Sequence, residues 1–184
     1  MTAIESLQTA TRSDIDRLTA RLTSGRMTLP RWQAAMAKEL ADYHTAAQML
    51  GTAERLKLPA HSALITRRGL SQAERADIAQ AVHTQRAFLD SLAQDIASGD
   101  LSPAQIRARA GSYAGSVKAT YWQALAPNLP FYPGSGCQCG NNCHCHWQFS
   151  AGEWWWTLGG AVEHCDDCRV RADGSPYMVS GELQ

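Results

Sequence analysis

The stretch Cys137-Gln-Cys-Gly-Asn-Asn-Cys-His-Cys-His-Trp147, followed later by Glu163-His-Cys-Asp-Asp-Cys168, decides how the C-terminal part of this chain folds. All six cysteines of the protein fall in these two stretches, together with three of its six histidines. A structural zinc ion takes four ligands in a tetrahedron, usually as two pairs that the fold brings together. The sequence therefore predicts a small metal-binding module.

The cysteine spacing indicates which residues bind the ion. Cys165-x2-Cys168 is a C-x2-C knuckle, in which two thiolates point at one ion, and it provides the firmest ligands. The other pair is expected among Cys139, Cys143 and Cys145. Thiolates are soft ligands that select zinc over hard cations, so we predict one structural Zn²⁺ per chain.

Two aromatic segments between the knuckles are typical of short strands. These are His146–Phe149 and Glu153–Leu158, with a plausible turn at residues 150–152. The order knuckle, strand, strand, knuckle is that of a zinc-ribbon-like hairpin, which brings both knuckles to the same end. In such a strand Trp154 and Trp156 share one face, and Trp155 takes the other.

Other uses of the cysteines are open at this point. Three disulfides, a redox-active C-x2-C and an iron–sulfur cluster are all compatible with six cysteines. The first lacks an export signal, and the second lacks a βαβ context. A catalytic zinc is less favoured because the donor set is rich in sulfur, although His144, His146 and Glu163 lie close in sequence.

The rest of the chain differs sharply in composition. Residues 1–130 hold 15 Lys/Arg and 11 Asp/Glu, whereas residues 131–184 hold 2 and 6, which gives net charges of +4 and −4. Four of the six tryptophans also lie in the second part. We predict an α-helical body over residues 1–130 and a Cys/Trp-rich zinc-binding module over residues 131–184.

Apolar residues recur at helical spacing along the body, which predicts about four long helices. They run over residues 2–23, from near Thr28 to Leu50 with Gly51 ending the helix, over residues 72–98, and over residues 103–125. Residues 52–70 give no clear pattern. Ser71 and Glu74 form a capping box, and Gly111 and Gly115, four apart, allow a close helix crossing. The fold class is mainly α.

The overall charge and hydropathy exclude some functions. The formal net charge is zero, which argues against a protein that coats nucleic acid by bulk electrostatics. No stretch approaches the ~18 consecutive apolar residues of a membrane span. The N-terminus lacks the basic end and apolar core of a signal peptide, so we expect a reducing, cytoplasm-like compartment.

Several segments resemble minor head proteins of tailed bacteriophages, in the Mu F-like head-morphogenesis group. The helical part of the likeness lies in Leu70–Leu89, Gly99–Ala110 and Tyr113, and more weakly in Trp32–Leu50. The more specific part is the tail: Pro133–Gly136, Cys139–Trp147, Trp156–Leu158 and Glu163–Cys168. Together they cover roughly residues 28–180. Cys137 is extra to this pattern, which makes it the least expected ligand of the six.

The resemblance implies a structural protein of the virion, present in the host cytoplasm during assembly. Its partners would be capsid or portal proteins, with further copies of itself in the particle; contact with packaged DNA is not favoured, and no membrane is involved. It implies no reaction, and we find no phosphate loop, no H-E-x-x-H and no nucleophile–base set. The rival hypothesis is a zinc-ribbon nucleic-acid-binding or regulatory protein, which the net charge of −4 on residues 131–184 disfavours.

Overall fold

The computed structural model describes residues 2–59, 67–160 and 163–177. Its helices are α1 (Ala3–Thr23), α2 (Leu29–Arg55), α3 (Gln72–Ser98), α4 (Pro103–Ser112), α5 (Val117–Leu125) and α6 (Asp166–Asp173). Strands β1 (His146–Ser150) and β2 (Glu153–Thr157) form an antiparallel hairpin. The predicted fold class is confirmed: the chain is mainly α, with a small C-terminal hairpin beside a cysteine cluster compatible with a zinc-ribbon-like module.

Local capping explains where the helices begin and end. The predicted capping box is present, since the Ser71 hydroxyl accepts from the Glu74 amide and the Glu74 carboxylate accepts from the Ser71 amide. Ser102 and Gln105 form a second box at the start of α4. Gly99 ends α3 with a φ of 81°, a left-handed conformation that glycine adopts without a steric cost.

Helix α2 lies at the centre of the body and packs against α1, α3 and α5. One buried cluster is formed entirely by helical residues and the turn after α4: Ile15, Leu18, Trp32, Met36, Leu40, Leu89, Leu92, Ala110, Tyr113 and Ala114. Burial of this apolar surface is the main force that stabilises the body. None of the helices in the described ranges is both long and apolar enough to cross a membrane.

The predicted end of the second helix at Gly51 is wrong, because α2 continues to Arg55. A Cβ atom at Gly51 would lie 2.3 Å from the backbone oxygen of Tyr121 in α5. Glycine is therefore present at this position because two helices approach closely there, and not because the helix stops. Residues 60–66, part of the stretch without a clear pattern, lie outside the described residues.

The predicted helix over residues 103–125 is interrupted. A 3₁₀ turn at Tyr113–Gly115 separates α4 from α5. A Cβ atom at Gly115 would lie only 1.7 Å from the backbone oxygen of Asn141, whereas the nearest atom to a Cβ at Gly111 is Asp16 Oδ1 at 4.0 Å. Gly115 therefore serves contact with the cysteine-bearing loop, and the expected helix crossing at this pair of glycines is not what the structure shows.

The hairpin has the predicted strands and turn. Trp147 pairs with Trp156, and Ser150 pairs with Glu153. The two turn residues, Ala151 and Gly152, have φ values of 53° and 86°, as a type I′ turn requires. Five-residue strands joined by such a turn cannot hold themselves together in water, so the hairpin depends on what packs around it.

A second buried cluster crosses the predicted division at residue 130. It joins apolar residues of the helical body to the hairpin and to three cysteines: Ile4, Ala47, Val117, Tyr121, Trp122, Ala126, Leu129, Cys143, Cys145, Trp147, Trp156 and Cys168. The division at residue 130 stays a prediction based on composition. The buried contacts show that the module packs on the body.

The body also buries a neutral histidine. The Ser116 hydroxyl donates to the Tyr113 carbonyl, so its oxygen is free to accept from Nε2–H of His44 at 3.3 Å. The Nδ1 atom of the same ring then accepts a hydrogen bond from the Thr120 hydroxyl, whose Oγ1 lies 2.7 Å away. Burial lowers the pKa of His44 to about 4, so this ring is uncharged at neutral pH.

Candidate metal centre

The loop after α5 carries four of the cysteines in tight turns. The Gly140 amide donates to the Cys137 carbonyl at 2.9 Å, and the Asn142 amide donates to the Cys139 carbonyl at 3.0 Å. A 3₁₀ turn over Gly140–Asn142 follows, and it leads to Cys143. These turns point successive thiols toward one region instead of spreading them along an extended chain.

The last two cysteines stand at the start of α6. Cys165 is the N-cap residue, and the Cys168 amide donates to the Cys165 carbonyl at 3.0 Å. The first helical turn thus places both thiols of the C-x2-C knuckle on the side that faces the loop. Cys168 is completely buried.

Two sets of sulfur atoms result, and they share one residue. The thiols of Cys137, Cys139, Cys165 and Cys168 all lie within 4.8 Å of one another. The thiols of Cys143, Cys145 and Cys168 form a second set within the same limit. Such sets of convergent thiols are able to hold a metal ion.

The five predicted ligands, Cys139, Cys143, Cys145, Cys165 and Cys168, all belong to these sets. The structure differs from the expectation in the partner of the Cys165–Cys168 knuckle, which is the pair Cys137 and Cys139. Cys137, expected to be extra, completes the four-thiol set. Its signal was in the sequence, since Cys137-x-Cys139 repeats the spacing of Cys143-x-Cys145.

The six thiols are free, and burial together with contacts between thiols shifts the pKa values of Cys137, Cys143 and Cys168. A hydrogen bond from the Cys137 thiol lowers the pKa of Cys143 to about 7, although burial opposes this shift. The same contact raises the pKa of Cys137, and burial acts in the same direction. Burial raises the pKa of Cys168 as well. Because metal ligands must be thiolates, a bound cation would replace the shared protons.

The other residues considered for a catalytic zinc lie apart from these sets. Among the described residues, His144 and Glu163 are exposed, and neither they nor His146 belongs to a thiol set. A different histidine reaches the cluster. His164 Nδ1 lies 3.6 Å from Cys145 Sγ, a contact that sequence reasoning missed because it depends on the fold between the two knuckles.

The side chains that pack around the hairpin are mainly aromatic. Phe131 stacks on Trp147 with ring centroids 5.5 Å apart, and it meets Trp156 edge-on at 5.2 Å. Tyr177 contacts both Phe131 and Trp147, and the Arg171 guanidinium lies 4.3 Å from the centre of the Phe131 ring. These contacts hold the hairpin between the two cysteine segments.

Helix α5 connects the cysteine cluster to the body. Lys118 Nζ donates to the carbonyl oxygens of Cys143 and Cys145. Trp122 meets Trp154 of β2 edge-on, with centroids 6.4 Å apart. A single helical face thus contacts both the loop that carries the thiols and the hairpin.

Comparison of the chain with protein-family models, curated proteins and solved structures gives no match.

Proposed function

We propose that this chain is a structural protein of a bacteriophage particle, a minor head or head-morphogenesis component at the capsid or portal. Its C-terminal module, rigidified by zinc, would dock other head proteins. The resemblance of Cys139–Trp147 and Glu163–Cys168 to phage minor head proteins motivates the assignment. The structural observation that carries the docking role is an exposed tryptophan on the outer face of the hairpin.

Trp155 is 40% exposed, and it lies on the opposite face of the hairpin from the buried Trp147 and Trp156. Phe149 is on the same face as those two rings, packed against Trp154, so the outer face of the hairpin presents Trp155 alone among the aromatic residues. Aromatic residues are favoured anchors at protein interfaces, and a rigid hairpin loses little conformational entropy when it binds. We assign this surface to contact with a capsid or portal protein.

Zinc is the ion that we propose for the cluster. Four thiols within 4.8 Å of one another match a closed tetrahedral site, in which zinc–sulfur bonds measure about 2.3 Å. Soft thiolate donors disfavour magnesium and calcium. A sulfur-only site without an open position supplies structure and not catalysis, so we propose no reaction for this protein.

The docking role is tested by replacing Cys165 and Cys168 together with serine. We expect this double variant to enter phage heads less efficiently and to lower the yield of infectious particles, since the module loses its metal. Normal incorporation of the double variant contradicts the docking role. If the isolated protein instead retards DNA with a steep dependence on salt, the nucleic-acid-binding hypothesis replaces this one.

A subtler variant separates docking from folding. Trp155→Ser alters an exposed ring and leaves the thiols in place, so it should lower incorporation into heads without loss of metal. The matched control is Phe88→Ser, which alters an aromatic residue that is 57% exposed on α3 of the body. If both variants enter phage heads as efficiently as the unaltered protein, the hairpin surface does not dock other head proteins.

A further inference from the structure

We propose that the cysteine cluster holds two metal ions, bridged by the Cys168 thiolate, with His164 as a ligand of the second ion. This inference rests on the proposed structural metal and extends it. The first ion would take the thiolates of Cys137, Cys139, Cys165 and Cys168. The second would take those of Cys143, Cys145 and Cys168, with the imidazole of His164 as its fourth ligand.

The shared thiol is the first reason for a second ion. Cys168 belongs to both sets, is fully buried, and lies 3.8 Å from Cys143 Sγ. The edge of a zinc–sulfur tetrahedron with bonds of about 2.3 Å measures about 3.8 Å. A disulfide bond is about 2.05 Å long, so this pair is spaced for a common ion and not for a covalent link.

The position of His164 is the second reason. With zinc–nitrogen bonds of about 2.0–2.1 Å, the mixed sulfur–nitrogen edge of a tetrahedron is about 3.6 Å. The observed distance from His164 Nδ1 to Cys145 Sγ is 3.6 Å. This histidine therefore stands beside Cys145 at the spacing of two ligands on a common ion. It is not within 4.8 Å of all three thiols, so binding would have to draw its ring closer to Cys143 or Cys168.

The other ring nitrogen of His164 fixes which atom faces the thiols. Nε2 lies 2.7 Å from the Gly159 carbonyl, which can only accept, so Nε2 carries the proton. Nδ1 is then left with a lone pair directed at Cys145. A histidine ligand held by a backbone carbonyl through its second nitrogen is the usual arrangement in metal sites, because it sets the tautomer and the ring orientation.

The charge beside the second set is compatible with bound thiolates. Lys118 places a positive charge there, where its ammonium group donates to the carbonyl oxygens of Cys143 and Cys145.

The number of ions is measured directly on the full-length protein, purified with zinc and freed of excess metal. Elemental analysis and native mass spectrometry should both give two zinc ions per chain. One zinc ion per chain would overturn the bridged pair and leave the proposed structural metal intact. No zinc at all would overturn the structural metal too, so the two failures are distinguishable.

The role of His164 is tested by titrating the metal-stripped full chain with cobalt and following thiolate absorption. The unaltered protein should saturate at two equivalents. His164→Gln should weaken the second step by more than ~100-fold, beyond the effect of losing an outer-shell partner. His146→Gln, a matched control on β1, should leave both steps unchanged. If His164→Gln and His146→Gln bind the second cobalt ion with equal affinity, His164 is excluded as a ligand.

Discussion

The helical body and the C-terminal module are stabilised by different chemistry. The body has a cluster of aliphatic and aromatic residues that is contributed by α1, α2, α3 and the α4 region, without any cysteine. The module has two short strands, a ring of stacked aromatics and six converging thiols. A segment of about 50 residues buries too little apolar surface to fold alone, so we infer that metal binding supplies much of its folding free energy.

This difference also shows in what connects the two regions. The seam between them centres on α5 and the turn before it, with the Gly115–Asn141 approach, the Lys118 hydrogen bonds and the Trp122–Trp154 pair. It lies within the buried cluster that joins the helical body to the hairpin and the cysteines. Perturbing either region or the seam should therefore give distinct signatures.

The largest effect is expected at the seam. Gly115→Ala places a Cβ atom 1.7 Å from the Asn141 backbone oxygen, so the turn and the loop must separate. We expect the free energy of unfolding to fall by at least ~3 kcal/mol, measured by urea denaturation. Gly111→Ala is the control four residues earlier, where a Cβ has space. It should be neutral or stabilising by up to ~1 kcal/mol. Equal stability of the two variants would mean that the seam does not form.

A smaller effect is expected in the body, from His44. Burial lowers its pKa to about 4 in the folded protein from the usual 6.5 of a histidine, so the unfolded chain binds the proton first as pH falls. Stability is therefore lost between about pH 6.5 and pH 4, by up to ~3 kcal/mol. Metal release by acid affects the unaltered protein and His44→Asn alike. The difference between their free energies of unfolding, followed as a function of pH, therefore reports the contribution of His44. If that difference does not change with pH, His44 is not buried in its neutral form.

The smallest effect on stability is expected on the outer face of the hairpin. Trp155 is 40% exposed on the outer face of the hairpin, so Trp155→Ser should lower the free energy of unfolding by only ~1 kcal/mol. Thermal denaturation of the zinc-loaded protein measures this change. A loss of ~2 kcal/mol or more would place this ring in the core of the module, and it would remove the exposed surface on which the docking proposal depends.

Much of the fold was predictable because its signals are local. The capping box at Ser71, the left-handed Gly99 and the turn at Ala151-Gly152 each depend on neighbouring residues only. Helical periodicity likewise located α1 and α3 within a residue or two. Prediction failed at Gly51 and Gly115, where a local rule assigns glycine to a helix end or a helix crossing. In the structure, each glycine instead leaves room for the backbone of a segment that is distant in sequence, at Tyr121 for Gly51 and at Asn141 for Gly115.

In the candidate site, too, features set by neighbouring residues were predictable, and features set by distant segments were not. Spacing identified the C-x2-C knuckle and the remaining cysteines, because knuckles are local. The grouping of Cys137 with Cys139, the sharing of Cys168 and the approach of His164 depend on how two distant segments meet. Resemblance made Cys137 the least expected ligand, whereas the geometry of its own loop places its thiol in the four-thiol set.

The most direct measurement of the central claim is a chelator titration of the full-length protein followed by two probes. Four of the six tryptophans lie in the module, so fluorescence reports on it, whereas far-ultraviolet circular dichroism reports on the body. We predict a large fluorescence change as the metal is removed, with most of the helical signal retained. Unchanged fluorescence, or a helical signal that collapses together with it, would contradict a metal-dependent module on a self-sufficient body.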